Sequence, residues 1–461
     1  MSAVPFAAHV AGFAAGIAPQ CADASEAILT SLVDTVGCMA GGANAAPVAI
    51  ARAYAEATAR LDPAGPSRAA SIAGSPAHFT LEAAVFANAL AARYLDYNDI
   101  YLSMEAVHPS DNIPIALALA EAFQRSGAEL IEAVGLGYEV HCRLADTVST
   151  RRGGWDNVIL GAIVGSVMAG SLLRLTEAQQ AHAINIAATG NTALMATRAG
   201  ALSMWKGAAC AYAARAGLFA ALVAAQGMTG PARALDGKYG LFAQVTGEAD
   251  PSGFASDGAA LRLTGVHLKA YPSQYFTQTA VDAALALRAR VPADAIARVV
   301  VDTFEFGRVA SADSPQKWCP ESRETADHSM PYVVAAALLD GAVGEAQFAD
   351  ERIAAPDIRA LMARIEVRED PAFTKAYPDR VTTRIAVETR DGEGAVETVH
   401  YPRGHTRNPM TRAEVSDKFR DLWPGWGKEV LEVLWGLGRL DGPTLSTVLR
   451  RTVGGAGDRL A

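Results

Sequence analysis

A chain of 461 residues, 51% hydrophobic and 19% charged, holds enough apolar side chains for two or three domains with a large core, and is not the composition of a disordered protein. Its formal charge of -9 argues against nucleic acid or an anionic membrane as the main partner, so an anionic substrate would need a local pocket of cations. The five cysteines, Cys21, Cys38, Cys142, Cys210 and Cys319, are odd in number, widely spaced and without a Cys-x-x-Cys pair, which suggests neither a disulfide framework nor a zinc ribbon and fits a reduced cytoplasm.

In chain order, residues 1–19 are apolar and alanine-rich but lack a basic leading region, the first arginine being Arg52, and make a poor signal peptide. Apolar residues at helical spacing predict helices over 24–41, which stops at a Gly-Gly pair, and over 46–61, followed by a loop at Asp62-Pro-Ala-Gly-Pro-Ser. Further helices are expected at 81–96, 113–125 and 128–147, and Thr176-Glu-Ala-Gln179 is a capping box opening another that runs to about 189. The apolar stretches 161–173 and 207–225 are too short, or broken by Arg215, to span a bilayer, and read as buried helices.

After Gly265 the pattern changes. Helical segments persist at 277–289 and 331–339, but strands are expected at 297–304 and 365–369 and as an alternating pair, 381–389 and 395–401, around Asp391-Gly392. A helical pattern returns at 412–423 and 428–439. The expected fold is mainly α: a large all-helical domain, 1–266 completed by 405–461, with a smaller α+β domain, 267–404, inserted in it.

Polar chemistry concentrates in residues 94–112, where nineteen positions hold four acids, a histidine, three tyrosines and two asparagines. Asp96 and Asp99 fall near the end of the 81–96 helix, three apart, and would share a face if it continued. His108-Pro109 sets an extended backbone at the histidine, while Ser110, Asp111 or Asn112 can cap the next helix, with Pro114 in its first turn. Capping accounts for Asp111 and Asn112. It leaves Asp96, Asp99 and His108 as a proton-transfer cluster, with a carboxylate expected to pair with the imidazole.

Three other stretches place polar groups in apolar surroundings. Lys206 opens a strongly apolar helix, where it either meets a partner or snorkels to solvent. Lys269, Tyr271, Ser273 and Gln278 are donors suited to carboxylates, or parts of an ordinary helix start. Thr325-Ala-Asp-His-Ser-Met-Pro-Tyr offers His328 and Tyr332, although Asp327 with His328 reads equally well as a structural pair.

These stretches together resemble the 2-methylcitrate dehydratase family, also called MmgE/PrpD, whose relatives include cis-aconitate decarboxylase. The likeness lies in Asp96-Tyr-Asn-Asp99, Glu105-Ala-Val-His-Pro-Ser-Asp-Asn112, Trp205-Lys-Gly, Lys269-Ala-Tyr-Pro, Ala326-Asp-His-Ser-Met-Pro-Tyr332 and Gly404-His-Thr-Arg-Asn-Pro-Met410, and covers nearly the whole chain in order. The resemblance implies a helical domain with an α+β lid, a site in the cleft between them, no metal or organic cofactor, and a homodimer. It places Asp96, His108, Lys206 and Lys269 in the site with Tyr332 nearby, and together with the residue types above makes Asp96, His108 and Lys206 the expected catalytic residues and Asp99, Lys269, Tyr332, Gln274 and Gln278 the expected substrate-binding ones. The decarboxylase branch has a histidine where this chain has Asp156, and another near Gln274, which brings this sequence closer to the dehydratases. The expected partner is a small anionic carboxylate, with no nucleic acid and no membrane. On this reading Lys206→Met and Lys269→Met weaken substrate binding and turnover while the fold survives.

Overall fold

The computed structural model describes residues 4–59, 68–247, 251–254, 260–424 and 428–453, so the loop expected at 62–67 lies outside the described residues. The chain divides into two compact units, one of Met1–Thr197, Gly207–Val266 and Thr411–Ala461, the other of Arg198–Lys206 and His267–Met410. Helices dominate, and the fold is mainly α.

In the first unit the long helices follow their capping and apolar patterns. Thr80 accepts a hydrogen bond from the Ala83 amide and opens Leu81–Tyr94, which is buried along almost its whole length. Ser126 with Glu129, and Thr176 with Gln179, form reciprocal capping boxes that start Gly127–Thr147 and Glu177–Gly190. Small residues let helices meet closely: a Cβ at Gly217 would stand 2.5 Å from the Ala162 carbonyl oxygen, so helices Val158–Leu173 and Trp205–Ala225 touch there only because Gly217 has no side chain.

Three sequence expectations are corrected here. Helix Phe6–Asp23 occupies the stretch read only as a poor signal peptide. Two short antiparallel ladders interrupt the helices, Ala69–Ser71 (β1) with His78–Thr80 (β2) and Tyr101–Leu102 (β3) with Ala106–Val107 (β4), so this unit is not all-helical. Strands of two or three residues carry too little alternation to be read from a sequence. The helix expected at 207–225 begins at Trp205, which makes its 21 residues long and apolar enough to cross a membrane, although 61% of its apolar window is buried inside the protein.

The same core encloses His141 on helix Gly127–Thr147, 3% exposed, with neither ring nitrogen hydrogen-bonded among the described residues. Burial pushes its pKa down to about 3. A histidine depressed in this way contributes stability that is present above its unfolded pKa, near 6.5, and lost as pH falls toward 3. The shift is worth on the order of 5 kcal/mol in the limit. His141→Leu is therefore expected to flatten the decline in stability between pH 6.5 and 3, read from urea midpoints across that range; an unchanged slope would show that His141 is charged in the fold.

The second unit is built on one four-stranded sheet with the order β6-β5-β7-β8, comprising Ile296–Thr303 (β5), Ile365–Glu369 (β6), Thr383–Thr389 (β7) and Gly394–Val399 (β8). β5 and β6 run parallel with Val299 opposite Ile365, while β7 is antiparallel to β5, Val301 facing Ile385, and closes a hairpin with β8. Gly392 turns that hairpin at φ +85°, a conformation that suits glycine. Alternate residues Thr383, Ile385 and Val387 point inward, where helices Gln278–Arg288 and Met330–Asp340 cover them with Ala280, Val281, Ala284, Val333 and Leu338.

Candidate active site

Helix Leu81–Tyr94 ends at Leu95, and the next residue, Asp96, takes a left-handed conformation at φ +50°. Glycine is the usual residue there, and an aspartate held in it costs roughly 1 kcal/mol or more. The turn brings the Asp96 carboxylate back onto Arg93, with Oδ1 2.6 Å from Nη1, both side chains being almost fully buried. Arg93 is the centre of this cluster. Its Nε lies 3.9 Å from Asp111 and its Nη2 3.1 Å from His108 Nε2. Burial alone would lower its pKa, yet the Asp96 and Asp111 carboxylates hold it above the ordinary value.

His108 is placed by β4 and by Pro109, which begins the 3-10 turn Pro109–Asn112. Its Nδ1 lies 2.5 Å from the Asp99 main-chain oxygen, an atom that only accepts, and its Nε2 faces Arg93, a group that only donates. The imidazole is therefore neutral, with the proton on Nδ1 and the lone pair on Nε2. Its partners include an arginine and a peptide carbonyl, and the αL turn at Asp96 sets that carboxylate against Arg93.

Asp99 is 1% exposed, and its carboxylate is taken up inside the protein. Oδ1 accepts from the Ser110 hydroxyl at 2.5 Å and the Ser110 amide at 3.2 Å, and Oδ2 accepts from Tyr138 at 2.6 Å. Burial raises its pKa to about 7 against the lowering effect of these hydrogen bonds. Asp111 accepts from Asn98 at 2.9 Å, and Asn112 makes no side-chain cap. Ser110 and Asp111 make contacts within the cluster instead of the expected caps, and both polar atoms of the Asn112 side chain are buried without a hydrogen bond among the described residues.

Two struts steady this region. Asn157, beside the buried Asp156, donates to the Ala106 carbonyl at 2.5 Å, two residues before His108. Lys418 lies 2.7 Å from buried Asp34, donates to the Tyr97 carbonyl at 2.8 Å and sits over the Tyr97 ring. Trp155 and Ile159, on either side of Asp156, line a cavity of about 650 Å³ together with Leu241, Val245, Arg233 and Lys238.

In the second unit Lys206 is 1% exposed and does not snorkel. Its ammonium meets both oxygens of Asp327 at 2.8 Å and lies 3.3 Å from His328 Nδ1, itself 2.5 Å from Asp327. Lys269 is completely buried. Gln278 spends its amide on the 270–273 turn, accepting from the Ala270 and Tyr271 amides and donating to the Tyr271 and Ser273 carbonyls, so it shapes the segment that carries Lys269. Gln274 donates its main-chain N–H to the Asp327 carbonyl at 2.8 Å, and its side-chain oxygen is buried without a hydrogen-bond partner among the described residues. Tyr332 was expected to touch substrate, but its ring lies in the core and its hydroxyl donates to the Gln347 carbonyl. The Met330–Asp340 helix faces the sheet, and the tyrosine goes with it.

The residue missed in the sequence is Arg93, while Asp327 reads there as a partner of His328 but not of Lys206. Arg93 is the one charge between Glu82 and Asp96 in an apolar run, and a buried arginine three residues before an aspartate is a pair in waiting.

Profiles of the MmgE/PrpD N-terminal domain and of the MmgE/PrpD C-terminal domain match residues 6–253 and 271–432. The chain belongs to the MmgE/PrpD family. Among MmgE/PrpD relatives, it is 31% identical over 425 residues to 2-methylcitrate dehydratase of Cupriavidus necator, covering 84% of each chain. It is 30% identical to the 2-methylcitrate dehydratase of Salmonella typhimurium over 342 residues, 68% of this chain and 69% of that one. Human cis-aconitate decarboxylase is 29% identical over 358 residues, 73% of this chain and 71% of that one.

Proposed function

We propose that this chain is a cofactor-independent hydro-lyase that dehydrates a small di- or tricarboxylate, 2-methylcitrate or a citrate-like 2-hydroxy acid, to the cis-alkene. The observation that carries the reading is the His108 imidazole, neutral and with one defined acceptor nitrogen beside the Arg93 guanidinium. Such an elimination lifts a proton from carbon next to a carboxylate, gathers charge on that carboxylate and protonates the leaving hydroxyl. In this reading His108 and Asp96 handle the protons and Lys269 meets the carboxylates, favouring the developing dianion over the ground state, while Lys206 is engaged by Asp327. Asp156, where the decarboxylase branch has a histidine, favours dehydration. Decarboxylation of a cis-aconitate-like acid, or epimerisation, is the second reading, since each starts from a similar carbanion-like state and the family relatives bear both kinds of name. A cytoplasmic homodimer is the proposed setting.

The test is incubation of the pure protein with 2-methylcitrate, citrate and cis-aconitate, following alkene absorbance, released carbon dioxide and exchange of substrate hydrogen with deuterium. Alkene formation without carbon dioxide is expected. Release of carbon dioxide from cis-aconitate at the higher kcat/KM would move the assignment to the second reading. Turnover should also survive exhaustive chelation; activity lost on chelation and restored by one added metal would overturn the cofactor-independent assignment.

A further inference from the structure

The carboxylate of Asp99 holds Ser110 on one side of Pro109, through the hydroxyl at 2.5 Å and the amide at 3.2 Å, while the carbonyl of the same residue holds His108 Nδ1 on the other side at 2.5 Å. Beneath it, Tyr138 on helix Gly127–Thr147 donates to the remaining oxygen at 2.6 Å. Both carboxylate oxygens are engaged by the protein, and the residue is 1% exposed. We propose that Asp99 is a positioning residue: its carbonyl dictates which nitrogen of His108 carries the proton, its carboxylate pins the His108-Pro109-Ser110 turn, and it acts on the reaction only through His108. The catalytic part of this inference rests on the function proposed above; the tautomer part does not.

The tautomer is informative because free imidazole favours the proton on Nε2, so an Nδ1–H form has to be imposed by a fixed acceptor. The acceptor here is main chain and survives any substitution at position 99. What a substitution removes is the clamp that keeps the carbonyl and the ring at that separation. The charged and titratable groups around the clamp are Tyr138 and Cys142 from helix Gly127–Thr147, Asp34 from helix Ser25–Gly42 with Lys418 from helix Arg412–Leu422 beside it, and Arg93 with its partners Asp96 and Asp111. With three donors aimed at it, the Asp99 carboxylate is the form that fits the cage. Protonation, which burial brings up to about pH 7, weakens the hold on Ser110.

The experiment is long-range nitrogen–proton NMR of the full chain labelled on histidine, with His108→Gln used to assign the ring, on wild type, Asp99→Ala, Asp99→Asn and Ser110→Ala. Wild type should show the Nδ1–H tautomer for His108. Asp99→Ala and Ser110→Ala should show Nε2–H or a mixture, and Asp99→Asn, which keeps an acceptor for Ser110, should retain most of the wild-type form. Where a carboxylate is turned over, the two alanine variants should lose at least roughly tenfold in kcat with KM within about threefold. The low-pH fall in kcat should shift in Asp99→Asn. An Nε2–H tautomer in wild type, an unchanged tautomer in both alanine variants, or a KM rise at constant kcat would overturn the proposal. Should Asp99→Ala fail to fold, Ser110→Ala decides, because it cuts the clamp and leaves the buried acid in place. If wild type turns over none of the acids, the proposed function is what has failed, and the tautomer comparison still decides the role of Asp99.

Discussion

Lys206→Met should lower the unfolding free energy by about 3 to 5 kcal/mol, the cost of leaving one partner of a buried ion pair behind. Asp327 is fully buried, and the Lys206 ammonium touches both of its oxygens at 2.8 Å. The methionine fills the volume but takes the ammonium away from a buried carboxylate that also contacts His328, 2.5 Å away. This revises the expectation, drawn from sequence, that the variant keeps its fold, because that expectation placed the lysine toward substrate and took no account of Asp327. Urea unfolding of Lys206→Met, Asp327→Asn and the double variant measures the coupling, and the double variant should be less destabilised than the sum of the two singles. Additive losses would show that the pair contributes nothing beyond each residue's own packing.

The second large effect is on turnover. His108→Ala should lower kcat by about a hundredfold or more, the scale of one general acid or base. Asp96→Ala should do the same and also weaken the fold, since it leaves buried Arg93 with Asp111 at 3.9 Å as its nearest remaining carboxylate. Asp96→Asn is the cleaner variant, because asparagine tolerates the left-handed backbone at φ +50° and still offers Arg93 an oxygen. The double variant of His108 and Asp96 should lose little beyond the worse single one, because both side chains contact Arg93 and act as one unit. Arg93→Met should accordingly reproduce both losses at once. Multiplicative effects of His108→Ala and Asp96→Ala would show that Arg93 does not link them, and near wild-type turnover in His108→Ala would remove this cluster from the mechanism.

Much was legible in the sequence because it depends on local rules. Helix and strand periods, the Thr176 to Gln179 capping box and the hairpin at Asp391-Gly392 are set by neighbours three or four residues away, and they stand where the pattern put them. The motifs around Asp96, His108, Lys206 and Lys269 marked the family for the same reason, since a handful of unusual polar residues in apolar runs is specific when taken together. What the chain could not disclose was partnership. The turn that sets Asp96 against Arg93 rests on a single positive φ, and the contact of Lys206 with Asp327 joins residues 121 positions apart. Tyr332 and Gln278 read as substrate contacts because both are polar, yet one hydroxyl and one amide are consumed by main-chain groups that only folding brings near. Residue types and their spacing determined which groups are available for chemistry, whereas burial decided which of them are free to perform it, because a buried polar group must first satisfy its own hydrogen bonds.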